Sequence, residues 1–196
     1  MSDRFYLLKI KLLDIEPEIW RRFVVPSDIS LDRLHDVIQI VMGWEDCHLH
    51  EFTIGKKRYT EYPESSQDGL VSGRYRLVDL IRQTGRTFGY IYDFGDGWEH
   101  ELIIEDSRYA DADRWADILC LDGERACPPE DVGGVPGYAE FSDIMSDPDH
   151  KEYAAFADWF GGHYDSDAFD PDYVNWELMK YLRWSRDRVL GWEKDD

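Results

Sequence analysis

Imidazoles and carboxylates crowd together in two stretches of this chain. In Trp44-Glu45-Asp46-Cys47-His48-Leu49-His50-Glu51-Phe52, the two histidines would share a face of a strand, and a pair so spaced could hold a metal ion. The second stretch, Tyr90-Ile91-Tyr92-Asp93-Phe94-Gly95-Asp96-Gly97-Trp98-Glu99-His100-Glu101-Leu102, is denser. Its Asp93, Asp96, Glu99 and His100, joined by His48, are the ligand types that suit a divalent ion, and such an ion could activate water for hydrolysis or nucleolysis. Strand alternation weighs against this, because it sets Asp93 and Glu99 opposite His100 and gives Asp96 to a turn. Two thiols, Cys120 and Cys127, are too few ligands for zinc without a third nearby. Lys180, Arg183, Arg186 and Arg188, with Trp184, are the best basic cluster for touching phosphate, but covering a helix end or pairing with the acidic middle of the chain is the reading preferred.

Strands and turns must position these groups. Phe88, Tyr90, Tyr92 and Phe94 alternate before the glycines, and Trp98, His100, Leu102 and Ile104 after them, so a β-hairpin is expected with Gly95-Asp96-Gly97 as its turn. Upstream, Tyr6, Leu8, Ile10 and Leu12 mark a strand with one wet side, and Ile19 to Val25 makes a hairpin with it; one of Arg21 and Arg22 must point inward or flank the face, where it could pair with a carboxylate, although an ordinary surface arginine is the reading preferred. Ser30 is placed to cap a helix carrying Leu31, Leu34, Ile38 and Val41, which Gly43 ends. Residues 55–76 read as a long connection with a short hairpin at Lys56-Lys57-Arg58, and Leu77–Ile81 as a turn or two of helix. The segment from Cys120 to Tyr138 is too rich in proline and glycine to predict regular structure. Asp147-Pro148-Asp149 and Asp170-Pro171-Asp172 each announce a helix start; the first helix carries Tyr153, Phe156, Ala157 and Phe160, and the second Val174, Leu178, Tyr181 and Leu182.

The expected fold is therefore α+β: an antiparallel or mixed β-sheet built from hairpins and packed against several α-helices, as one domain over residues 1–196. The formal net charge is −20, and nearly all the acidic excess lies in residues 93–172. Such a field opposes nucleic-acid phosphate and favours cations or basic partners, so direct nucleic-acid binding is not expected. No apolar run is long enough for a membrane span and no leader pattern opens the chain, which with three unpaired cysteines points to a cytoplasmic address.

Tyr92-Asp93-Phe94-Gly95-Asp96-Gly97-Trp98-Glu99-His100, Cys127-Pro128-Pro129-Glu130-Asp131-Val132-Gly133-Gly134 and Pro136-Gly137-Tyr138 together resemble the plasmid pRiA4b ORF-3-like family. Ile19-Trp20-Arg21-Arg22, Leu34-His35, Gly43-Trp44 with His48, and Phe169-Asp170 extend the resemblance over most of the chain. It implies an α+β fold and an association with plasmids or mobile elements. It assigns no ligand, cofactor or reaction.

Three functions follow as expectations: a binding or accessory module without chemistry; a divalent-metal-dependent hydrolase or nuclease using the Asp93, Asp96 and His100 region; and an accessory to a resolvase or repressor on DNA. The expected ligand site is Trp44, His48, Asp93, Trp98 and His100, where aromatic walls and titratable groups would meet on an acidic, cation-favouring surface. The competing reading makes Trp44 and Trp98 core aromatics, and His48 and His100 satisfied hydrogen-bond partners.

Overall fold

A computed structural model describes residues 4–63, 65 and 68–192, with side chains up to residue 181. Among the described residues eight strands form one mixed sheet: β1 (Phe5–Leu12), β2 (Trp20–Pro26), β3 (His50–Ile54), β4 (Lys57–Thr60), β5 (Leu70–Val71), β6 (Thr87–Tyr92), β7 (Trp98–Tyr109) and β8 (Leu119–Glu124). Their spatial order is β5-β4-β3-β6-β7-β1-β2-β8, antiparallel except for the β4–β5 pair. Five α-helices accompany them among the described residues: α1 (Leu31–Met42), α2 (Leu77–Leu80), α3 (Gly134–Ser146), α4 (Tyr153–Phe160) and α5 (Pro171–Trp192). The predicted α+β class, built from hairpins, is the observed one.

Alternation in the sequence sorts the two faces of the sheet. Tyr6, Leu8, Ile10 and Leu12 of β1 are buried with Tyr90 and Tyr92 of β6, and Trp98, His100, Leu102 and Ile104 of β7. They form one core with Leu34, Val37, Ile38 and Val41 of α1, Phe141 of α3 and Leu178 of α5. The opposite face is wet and charged, with Lys11 against Glu101 at 3.4 Å and Arg22 against Glu105 at 2.6 Å. Gly43 ends α1 in the left-handed conformation, as its position after the last apolar residue implies. Ser30 precedes α1, but its hydroxyl bonds the Asp32 carboxylate rather than a helix N–H.

Four expectations need correction. The central turn is the five residues Asp93 to Gly97, not three; Asp93, rather than Gly95, takes a positive φ (55°) alongside Gly97 (71°), and Phe94 is turned out to solvent. The proline-rich segment contains β8 and the start of α3. Pro136 sits in the first turn of α3, where no donor is lost, and a side chain at Gly137 would strike the Val132 carbonyl. Asp147-Pro148-Asp149 forms tight turns, and α4 starts later, at Tyr153. Asp170 does cap its helix, accepting from the N–H of Asp172 at 2.9 Å. Finally, Arg21 is no surface residue: it is 2% exposed and donates to the carbonyls of Val41, Trp20, Glu124 and Arg125 at 2.7–2.8 Å. It thereby ties the end of α1 to the chain leaving β8.

At the outer edge, β8 is met by a side chain instead of a ninth strand. The Asn175 amide accepts from the Cys120 N–H and donates to the Cys120 carbonyl, each at 2.8 Å.

Candidate functional site

Three loops converge at one end of the β6–β7 hairpin: the segment between α1 and β3, the hairpin turn, and the segment from Pro128 to Gly134. Backbone contacts fix them to one another. The Asp93 N–H donates to the Leu49 carbonyl at 2.9 Å, which sets His48 beside the turn. Gly133 donates to Asp96 Oδ2 at 3.0 Å, and Gly134 passes so close that a Cβ there would lie 2.5 Å from the Asp96 carbonyl oxygen. Only glycine permits that approach.

The chemistry at this junction is concentrated on one atom. His48 Nε2 lies 3.2 Å from Asp131 Oδ1, 3.7 Å from Asp93 Oδ2 and 3.7 Å from Glu130 Oε2. Each of the two more buried carboxylates is held by one oxygen and leaves the other unused. Glu130 Oε1 accepts from the Glu45 N–H at 2.8 Å and the Tyr92 hydroxyl at 2.9 Å, whereas its Oε2 is sealed from solvent with no hydrogen-bond partner among the described residues. Asp93 Oδ1 accepts from the Gly95 N–H at 2.8 Å, leaving Oδ2 toward His48. His48 Nε2 is likewise sealed and makes no hydrogen bond, its carboxylate contacts being at ion-pair distance only. Asp93 and Asp131 both sit at φ 55°, an uncommon conformation for a residue with a side chain and one that recurs at functional sites.

Aromatic rings line the inner side. Tyr92 contacts His48 edge-on at 5.9 Å and Trp44 at 5.3 Å; Trp44 in turn meets Trp98 at 5.5 Å and His100 at 6.5 Å. Burial pushes the Tyr92 hydroxyl up, so it stays protonated and acts as a donor to Glu130. His100 is buried, bonds the Trp98 carbonyl through Nδ1 and is pushed down to about 4 by desolvation.

Of the five expected ligand-site residues, His48 and Asp93 face the centre, Trp44 reaches it only through Tyr92, and Trp98 and His100 pack against Trp44 in the core behind. Alternation misplaced Asp93 because the residue belongs to the turn, off the strand register. Asp96 is committed to Gly133 and His100 to the core, so Asp93, Asp96 and His100 do not form a common ligand set. His48 and His50 are not a pair either: His48 lies in the loop, and His50 starts β3, buried and stacked on His35 at 3.4 Å. Among the described residues, no metal-sized group includes Cys120 or Cys127, which burial pushes up to about 11 and higher still, respectively. A second grouping, His35, Asp36 and Asp46, is already paired: His35 bonds Asp46 at 2.8 Å, and Asp36 accepts from Tyr181. The side chains of Arg183, Trp184, Arg186 and Arg188 lie outside the described residues.

Sequence reasoning missed Glu130, Asp131 and Tyr92 as site residues. The available signal was an adjacent pair of acids between Pro128-Pro129 and Gly133-Gly134, in a segment whose prolines and glycines dictate a defined path.

The hairpin turn and the Pro128–Gly134 segment that build this centre both lie within a family match. Across residues 4–173 the chain matches the plasmid pRiA4b ORF-3-like protein family, and it belongs to that family. One relative is the uncharacterized protein y4hQ of Sinorhizobium fredii (strain NBRC 101917 / NGR234), 41% identical over 171 residues that span 86% of this chain and 87% of that one. A solved relative is the crystal structure of a protein of unknown function, MM3350 from Methanosarcina mazei Go1. It is 32% identical, with a TM-score of 0.76, covering 88% of this chain and 98% of that one.

Proposed function

We propose that the protein is a binding module that takes a cationic ligand at the His48–Asp93–Glu130–Asp131 centre, with the Tyr92 ring against it and Trp44, Trp98 and His100 packed in the core behind that ring. One observation carries this reading: three carboxylates are aimed at a single imidazole nitrogen, and no lysine or arginine among the described residues pairs with them. Like charges gathered in this way are costly, and the cost falls when a positive ligand enters. The acidity of residues 93–172 supports the same reading, since it raises the local concentration of cations and disfavours nucleic acid as a direct partner. Three free cysteines are in keeping with a reducing, cytoplasmic setting. The family name links its members to a plasmid reading frame, and on that basis we place the module among accessory functions of mobile elements.

The test is thermal unfolding of the purified protein at pH 8 against a panel of cations: magnesium, manganese and zinc chlorides, spermidine, and arginine methyl ester. At least one should raise the midpoint of the wild type saturably and leave Glu130→Gln unmoved. If no cation acts, or if all act equally on both proteins, the reading is lost.

A further inference from the structure

We infer that the ligand of this centre is a first-row divalent metal ion, bound by His48, Asp93 and Asp131, whose ligand atoms all lie within 4.8 Å of one another, with Glu130 Oε2 at 3.7 Å from His48 Nε2 as a further carboxylate oxygen beside them. The inference rests on the cationic-ligand reading and narrows it by geometry. Metal–nitrogen and metal–oxygen bonds to such ions are about 2.0–2.2 Å, so neighbouring ligands of a tetrahedral site lie about 3.4 Å apart. His48 Nε2 stands 3.2, 3.7 and 3.7 Å from the three oxygens. Side chains packed without an ion would either hydrogen-bond, at about 2.7–3.2 Å with good angles, or draw apart. Here Nε2 of His48 and Oε2 of Glu130 do neither: both are closed to solvent and unsatisfied.

An ammonium group with about 2.8 Å to each oxygen would hold its ligands about 4.6 Å apart, wider than the 3.2–3.7 Å between His48 Nε2 and the three oxygens, which is nearer the spacing around a bare ion. One imidazole among three carboxylates suits zinc, manganese or ferrous iron. Calcium, which takes six to eight oxygens at about 2.3–2.6 Å, and magnesium, which holds on to its water, suit it less.

The surrounding groups have the arrangement expected of outer-shell support. Tyr92 and the Glu45 N–H hold Glu130 by Oε1, and the Gly95 N–H holds Asp93 by Oδ1, so each carboxylate presents its remaining oxygen in a fixed direction. Asp131 is the exposed ligand and sits at the outer side of the centre. This division marks the outer side as the entry path. It is also where a further ligand of the metal would reach the ion.

The experiment uses the full chain stripped with a chelator and titrated calorimetrically with manganese, zinc and magnesium chlorides, with cobalt(II) absorption as a spectroscopic readout. The expected result is one manganese or zinc per chain and magnesium at least tenfold weaker. His48→Gln, Asp93→Asn and Glu130→Gln should each lose at least tenfold in affinity, while Glu99→Gln, which removes an exposed acid from the same hairpin, should bind as the wild type does. Circular dichroism of each variant separates loss of ligand from loss of fold, and His48→Gln, at a loop position, is the variant to rely on if a carboxylate variant does not fold. Binding that is unaffected by all three ligand substitutions, or magnesium bound as tightly as manganese and zinc, overturns the metal assignment. If metals fail but spermidine or arginine methyl ester binds and needs Glu130, the metal assignment falls and the cationic-ligand reading stands. If nothing binds, both fall.

Discussion

Replacing Asp93 by asparagine should make the metal-free protein more stable, although the residue is almost wholly buried. The ligand atoms of His48, Asp93 and Asp131 all lie within 4.8 Å of one another. Two carboxylates at that separation repel by about 3 kcal/mol at the effective dielectric of a protein surface, and by about 1 kcal/mol if water screens them fully. Asparagine removes the charge at nearly constant volume. It tolerates the positive φ of 55° at this position and keeps an oxygen for the Gly95 N–H, while its amide can donate toward a neighbouring carboxylate. The net gain is thus expected at about 1–3 kcal/mol, which for a chain of this size corresponds to a rise of roughly 2–10 °C in the unfolding midpoint. The assay is thermal unfolding at pH 8 in chelator. Adding manganese or zinc should invert the order, because only the wild type gains the ion. An Asp93→Asn protein that is less stable than the wild type in chelator would show that the carboxylates do not repel as the geometry requires.

Other consequences can be measured directly. Gly134→Ala places a methyl 2.5 Å from the Asp96 carbonyl at a positive φ; it should cost about 2–4 kcal/mol in urea unfolding, and an unchanged midpoint would mean that the loops are not locked together. Tyr92→Phe removes the acceptor of the Cys47 N–H and a donor to Glu130, for a loss of about 1–3 kcal/mol and a smaller cation-induced shift. His50 and His100 titrate at about 3 and about 4 in the folded state against an ordinary 6.5, because burial disfavours their charged forms. The unfolded chain therefore takes up protons first, so stability is full above 6.5 and falls as the pH drops from there through 4. Each histidine should cost about 2 kcal/mol by pH 5, and equal urea midpoints at pH 7 and pH 5 would contradict their burial. Duplex DNA should not be retarded by micromolar protein at physiological salt, given a net charge of −20; a salt-sensitive shift would show that the basic stretch near the C-terminus outweighs it.

The sheet and its wet face were legible because alternation is a local signal: Tyr6 to Leu12 and Trp98 to Ile104 declare their buried sides in the chain itself. Helix α1 was legible from its spacing and from Gly43. Helix α3 was hidden, because Pro136 and Gly137 disfavour a helix by propensity; the close passage of Val132 that requires Gly137 exists only in three dimensions. Arg21 was misread for a similar reason. Its partners are carbonyls at Val41, Glu124 and Arg125, far apart in the chain and unmarked by residue type. Half of the candidate centre, His48 and Asp93, was visible as chemistry. The other half, Glu130 and Asp131, depends on a long-range meeting of two loops, and its only trace in the sequence was a pair of acids between prolines and glycines.

The amide of Asn175 has a consequence for how copies of this chain meet. A sheet edge with open N–H and C=O groups is a template on which another chain can extend the ladder, and aggregation often begins there. At Cys120 the template is already used: the Asn175 side chain reproduces the donor and acceptor pattern of a neighbouring strand and, belonging to α5, brings a helix against that edge. The opposite margin is the two-residue β5, too short to nucleate pairing. Growth by strand addition is therefore checked at both margins, and this acidic chain can be concentrated around its cation site without its sheet becoming a seed.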